Sequence, residues 1–297
     1  MGTVHVVATP IGNLEDITLR GLRLLAESDR IYAEDTRRTR ILLDHHGIAA
    51  RTVSLHSNNE EARIREALEH LGRGETLAVV SDAGTPLLSD PGARLVAAAV
   101  DAGHRVEPVP GPSALLAALS VAGLRVHPFT FVGFLPRRGG GRRRALLSHR
   151  DRYETLVIFE APHRVAETLE DLVEVFGTER RACLARELTK IHEEVVRGSL
   201  AELAERFSEG ARGEITLVVE GAEGTENRAV ESLLDEAELK RRMEALVQEG
   251  RRPREIAALL APLSPLPRRE LYARAVAARE AGSAGESADE EPEAPEL

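Results

Sequence analysis

Tryptophan is absent from the 297 residues, and aromatic residues of all kinds make up only 3%. The core must therefore be aliphatic, and stacking on exposed aromatics cannot be the main mode of any nucleic-acid binding. A single cysteine, Cys183, excludes an intrachain disulfide framework and a cysteine zinc site. Its apolar surroundings read as those of a buried, inert thiol. Lysine occurs only at 190 and 240, so 37 of the 39 basic residues are arginine. Arginine favours bidentate phosphate contacts, although a general Lys-to-Arg bias accounts for most of the excess. No apolar run approaches the roughly 20 residues of a membrane helix, and the N-terminal residues lack the basic and apolar pattern of a signal segment. A soluble, cytoplasmic protein is the expectation. The net charge of −10 argues against an RNA partner at first sight, but six of the negatives follow Gly285 with no positive among them.

What is present is enough chain for two domains with ample core, at 42% hydrophobic residues. Apolar strand patterns at 3–8, 30–33, 51–55, 77–80 and 106–109 alternate with helical patterns. That alternation predicts a parallel sheet with right-handed crossovers. A helix at 110–123 leads to a second α/β half. Strands are expected there at 129–134, 155–159, 181–186, 194–197 and 214–219, forming a mixed sheet, with a helix of 3.6 period at 163–176. Residues 220–228 read as a linker, 229–249 as a charged helix, and 253–260 and 267–279 as short helices separated by a turn at Ser264-Pro265. The expected division is 1–123, 124–224, a helical module at 225–281, and a disordered acidic tail at 282–297.

The stretch around which the chain is organised follows the fourth strand: Ser81-Asp82-Ala83-Gly84-Thr85-Pro86-Leu87-Leu88-Ser89-Asp90-Pro91-Gly92. A strand ending in such a loop lies where open α/β sheets place ligands, and small residues allow close backbone approach. Asp90 or Ser89 is expected to cap the next helix. Alone, this is compatible with an ordinary strand-to-helix connection. Three further stretches add to it: Ala8-Thr9-Pro10-Ile11-Gly12-Asn13-Leu14 after the first strand, Ala33-Glu34-Asp35-Thr36-Arg37 after the second, and Val109-Pro110-Gly111-Pro112-Ser113-Ala114 after the fifth. Together, and in this order, they resemble the tetrapyrrole methylase superfamily of S-adenosyl-L-methionine (SAM) enzymes. Within it the similarity is to the group acting on cytidine 2'-hydroxyls of bacterial 16S rRNA. The resemblance runs from about residue 4 to about 279. It implies two α/β domains with a folded cofactor between them, a 16S rRNA substrate in the small ribosomal subunit, and a homodimer.

SAM brings a sulfonium cation, a carboxylate, a ribose and an adenine, which call for N–H donors, polar groups and close backbone approach. The dinucleotide fingerprint G-x-G-x-x-G is absent. The resemblance points to Thr9, Pro10, Ile11, Gly12, Asp82, Ala83, Gly84, Thr85, Leu88, Ser113 and Ala114 as cofactor neighbours, completed by the second domain near Glu160 and Thr216. Methyl transfer to a hydroxyl gains from a base. Glu34, Asp35, His56, Glu160 and His163 are candidates, with Glu160 and His163 carried forward as catalytic. Helix capping is the alternative for Glu160, a surface imidazole for His163, and fixing of Arg37 or Arg38 for Glu34 and Asp35. Asn58 stands where the family commonly has a second histidine, which removes a metal-ligand pair; no metal is expected. Arg137, Arg138, Arg142, Arg143 and Arg144 flank three glycines and read as a mobile loop for RNA phosphates. Arg37, Arg38, His56 and Asn58 are the other expected RNA contacts. A precorrin C-methyltransferase and a non-catalytic ribosome assembly factor remain alternatives.

Overall fold

A computed structural model describes residues 1–88, 90–222, 234–264 and 266–285. Ser89 as an expected cap, residues 223–228 of the expected linker, residues 229–233 of the expected charged helix, Pro265 of the expected turn, and residues 286–297 of the expected tail lie outside the described residues. The chain forms two compact units, Met1–Ala222 and Glu223–Leu297. The division expected at residue 123 falls between two sheets of the first unit.

The first sheet contains β1 (Thr3–Val7), β2 (Arg30–Ala33), β3 (Thr52–Ser54), β4 (Thr76–Val80) and β5 (Arg105–Val109). All pairs are parallel, in the order β3-β2-β4-β1-β5. β4 is buried along Leu77–Val80 because helices cover both faces, which is why these strands read as continuous apolar runs. The crossovers are α1 (Leu19–Glu27), α2 (Thr36–His45), α3 (Glu60–Gly72) and α4 (Ala93–Asp101), and α5 (Ala114–Val121) follows β5. Thr18 caps α1 by accepting from the Gly21 N–H, and Asp35 caps α2 by accepting from the Arg37 N–H. The cap expected of Asp90 is not made. Gly92 occupies the N-cap of α4 with φ of 109° and offers no side chain.

The second sheet is mixed, as expected. It holds β6 (Phe129–Phe134), β7 (Thr155–Glu160), β8 (Arg181–Arg186), β9 (Glu194–Ser199) and β10 (Ile215–Val219), ordered β6-β7-β10-β8-β9. Only β6 and β7 pair in parallel. One face packs on α7 (Val165–Phe176) and α8 (Leu200–Arg206) through Leu169, Leu172, Leu184, Leu203 and Leu217. The other face meets α5 and the loop after β1, through Val157, Cys183, Val218, Ala118 and Ile11. Cys183 is fully buried there, and burial pushes its thiol up.

The arginine–glycine segment departs from expectation. It is not a mobile loop: Gly139–Leu147 forms a helix, α6. Three glycines disfavour a helix, but Leu146 is fully buried against the α7 side of the sheet and Arg142 is held in the same packing. Tertiary packing therefore overrides propensity.

The second unit packs α9 (Glu236–Gln248), α10 (Pro253–Leu260) and α11 (Arg268–Gly285) around Leu239, Met243, Ile256, Leu260 and Leu271. The last helix runs to Gly285, four residues into the span expected to be tail.

Candidate active site

The site is a cavity of about 390 Å³ between the two sheets of the first unit, within the roughly 300–1,000 Å³ range of small-molecule sites. The first sheet contributes the carboxyl ends of three adjacent strands. Asp82, Ala83, Gly84, Thr85 and Leu88 follow β4, Ile11 follows β1, and Ser113, Ala114 and Leu115 follow β5. The second sheet contributes a row set by its register. Phe134 of β6 lies beside Phe159 of β7, which lies beside Thr216 of β10, and Glu160 lies beside Ile215.

Short bonds lock the loops together. The Thr9 N–H donates to the Gly84 carbonyl at 2.9 Å and the Gly84 N–H returns to the Thr9 carbonyl at 3.0 Å. The Thr9 hydroxyl donates to the Ser81 carbonyl, and the Thr85 hydroxyl to the Pro112 carbonyl at 3.2 Å. Gly84 has φ of 84°, and a Cβ there would stand 3.2 Å from Ile11 Cγ2. Only glycine keeps this loop both unstrained and closely packed. Ser113 caps α5 by accepting from the Leu116 N–H, so the helix starts at the cavity wall.

The floor is acidic. Asp82 Oδ1 accepts from the Asp35 N–H at 2.9 Å, and Oδ2 lies 3.8 Å from Arg38 Nε. Burial pushes the Asp90 carboxyl up to about 6, with help from the negative charges of Glu34 and Asp82. Burial and Asp82 also raise Glu34. By contrast, the Arg37 guanidinium holds the Asp35 carboxyl down at about 2, and this pair is spent on the start of α2. A cluster of carboxylates short of counter-charge suits a cationic ligand, and Ile11, Leu88, Leu115 and Phe159 add apolar wall for an aromatic one. The residues present thus fit a group carrying a sulfonium and an adenine.

Of the residues the sequence singles out for the cofactor, Ile11, Asp82, Ala83, Gly84, Thr85, Leu88, Ser113, Ala114, Glu160 and Thr216 line the cavity. Thr9 and Pro10 are buried behind it, and Gly12 faces a separate depression beside Lys190. The Glu160 side chain is fully buried. Its carboxylate accepts from the Ala161 N–H at 2.8 Å and the Thr168 hydroxyl at 2.6 Å, and pairs with Arg164 at 3.3 Å. Arg164 in turn donates to the Leu135 and Pro136 carbonyls. Glu160 therefore fastens the end of β7 to the end of β6. His163 is exposed and lies outside the cavity.

Among the residues expected to meet RNA, Arg38 lines the cavity while Arg37, His56 and Asn58 do not. Arg142 does not belong to that set. It is 3% exposed, bonded to Asp171 and Glu167, and closed to phosphate. Arg143 is half-buried between Asp171 and Glu174. Arg137, Arg138 and Arg144 are exposed. Sequence reasoning misses Asp90, Phe134 and Phe159. The sequence reads as a cap where Asp90 turns inward, and no pattern signals the two aromatics beyond their position at strand ends. No group of three His, Cys, Asp or Glu that could hold a metal occurs among the described residues, and none of their helices is long and apolar enough to cross a membrane.

Residues 3–204 match the family model described as Tetrapyrrole (Corrin/Porphyrin) Methylases. The chain belongs to that family. Relatives of this methylase named ribosomal RNA small subunit methyltransferase I extend over more of it. The protein from Xylella fastidiosa (strain Temecula1) is 47% identical over 276 residues, 91% of this chain and 98% of its own. That from Escherichia coli O157:H7 is 42% identical, covering 91% and 93%. The methylase fold is shared with the crystal structure of the methyltransferase CobJ, at a TM-score of 0.59 and 23% identity over 75% of this chain and 95% of that one. Diphthine synthase gives a TM-score of 0.57 at 17% identity, covering 74% and 90%.

Proposed function

We propose that this methylase transfers the methyl group of SAM to the ribose 2'-hydroxyl of a cytidine in 16S rRNA, by resemblance the one at position 1402. The observation that carries the reading is the cavity itself. Its small-residue loops, acidic floor and apolar wall suit SAM, and the surface beside it carries exposed arginines. When bound, the cofactor supplies an electrophilic methyl carbon.

The residues would then divide the work. Asp82 and Asp90 place negative charge where a sulfonium must rest. Ser113 and Ala114, at the start of α5, bring backbone to the cavity wall close enough to hold polar ends, while Gly84, whose N–H and carbonyl are both engaged by Thr9, gives the loop its close packing. Much of the rate comes from placing the hydroxyl oxygen in line with the methyl carbon. Asp90 is assigned to accept the hydroxyl proton on a carboxylate oxygen, since it lines the cavity and its pKa of about 6 suits a base near neutrality. Glu160 acts by holding the wall in place, because its oxygens are already engaged. Arg38, Arg137, Arg138 and Arg144 would meet phosphates, and the protein would work as a cytoplasmic homodimer on the small subunit.

The test is transfer of labelled methyl from SAM to small subunits of a strain lacking the enzyme, followed by mapping of ribose methylation. Labelling of a single cytidine ribose is expected. Labelling of a tetrapyrrole precursor instead, or SAM binding without any transfer, would reject the reading in favour of a corrin methylase or an assembly factor.

A further inference from the structure

We propose that Phe134 is the platform on which the base of the target nucleotide stacks while its ribose enters the cavity. This rests on the RNA substrate proposed above and names the residue that would hold that base.

The chain has few aromatic side chains to expose. Of its six phenylalanines, Phe134 is 57% exposed, and it stands at the cavity wall. Its direction is set by a defect in the sheet. Side chains alternate along a strand, so Phe131 and Phe134, three residues apart, should face opposite sides. A β-bulge between Phe131 and Gly133 inserts one residue into β6 and cancels the alternation. Gly133 has φ of 71°, a conformation that glycine adopts without strain. Both rings therefore reach the cavity face and meet Phe159 edge-on, at 4.9 Å and 5.8 Å between centroids. Val132, the extra residue, packs on the opposite core.

The platform is also rigid. Arg164, anchored by buried Glu160, donates to the carbonyls of Leu135 and Pro136, the two residues after Phe134. Arg137 and Arg138 follow at once, exposed, and no ion pair or hydrogen bond engages their side chains among the described residues. An aromatic face next to free guanidinium groups is the combination that binds an unstacked nucleotide, with the ring taking the base and the cations taking phosphate. A base lies one glycosidic bond from its own ribose, so a 2'-oxygen in the cavity puts its base at the mouth. The scarcity of aromatics excludes a multi-base platform but leaves one stack at the target.

The experiment uses the full chain and small subunits lacking the methyl group. Phe134→Ala should lower kcat/KM for subunits roughly 10- to 100-fold, while SAM affinity by calorimetry stays within about twofold. Phe134→Tyr should restore most of the loss. Because the protein has no tryptophan, Phe134→Trp provides a single reporter whose emission should be quenched by subunits beyond any effect of S-adenosylhomocysteine. Wild-type kcat/KM in Phe134→Ala, or a fall in SAM affinity matching the catalytic loss, would overturn the stack while leaving the RNA reading intact. Indole emission that subunits leave unquenched in Phe134→Trp would do the same. Wild-type protein that transfers no methyl to subunits would remove both.

Discussion

Arg142 and Arg144 are two residues apart, identical in type, and indistinguishable in the sequence. The structure separates them by burial. Arg142 is paired with Asp171, 29 residues away on α7, whose side chain is itself only 10% exposed. Removing one member of a buried pair strands the other charge, at a cost of about 3–5 kcal/mol. Arg142→Ala should therefore lower stability by that order in denaturant melts, and Arg144→Ala by less than about 0.5 kcal/mol. Equal, small effects would show that the Asp171 pair is not formed in solution. Asp90 illustrates the same limit, because its Asp-Pro-Gly context signals a cap while Gly92 takes that position. Its raised pKa has a definite sign. Between the ordinary carboxylate range and about 6, the folded state holds a proton that the unfolded state has released. Its contribution to stability thus falls as pH rises through that window and stays lower above it. A bound cation opposes the proton, so SAM affinity should rise with pH from about 4 to about 6 and level off beyond. Asp90→Asn should flatten that limb in calorimetry and the acid limb of kcat/KM. A variant that keeps the wild-type pH profile would remove Asp90 from the site.

At the level of elements, the strands of the first sheet are legible because buried parallel strands are apolar along their whole length, as in Leu77–Val80. The mixed order of the second sheet is legible only in outline, since pairing of β10 between β7 and β8 is a long-range choice. Two helices escape the sequence reading. α8 carries a signal, because Ser199 and Glu202 form a capping box. α6 carries the opposite signal, three glycines, and is helical because its buried face meets α7. That packing narrows the phosphate-binding set to side chains that α6 and its approach leave in solvent. Arg137, Arg138 and Arg144 changed together to Ala should weaken subunit binding. The log–log salt slope should become shallower by roughly 0.7–0.9 for each phosphate no longer neutralised. The melting temperature should hold, because none of the three pairs with a carboxylate among the described residues. Wild-type binding across a salt series would mean that this surface is merely solvated.

For the molecule as a whole, the cavity lies entirely within Met1–Ala222. Its lining residues run in sequence from Ile11 to Thr216, and each hydrophobic cluster that supports it is drawn from the same unit. The unit also closes on itself near its end. The Ala222 N–H donates to the Arg152 carbonyl, the Glu220 carboxylate accepts from the Arg125 N–H, and the Glu220 carbonyl accepts from Arg180. A chain of that length buries enough surface to fold alone. The three helices of the second unit share one small core; Arg251 and Arg252 precede α10, Arg254 lies in its first turn, and Arg268 and Arg269 open α11. Arginines of this kind offer phosphate contacts. A fragment ending at Ala222 should therefore melt cooperatively and bind S-adenosylhomocysteine within about threefold of the full chain. Its affinity for small subunits should fall, with a shallower salt slope, as counterion release from the second unit is lost. Retained subunit affinity would assign RNA binding to the first unit alone. Loss of cofactor binding by a fragment that still folds would mean that the helical unit completes the site.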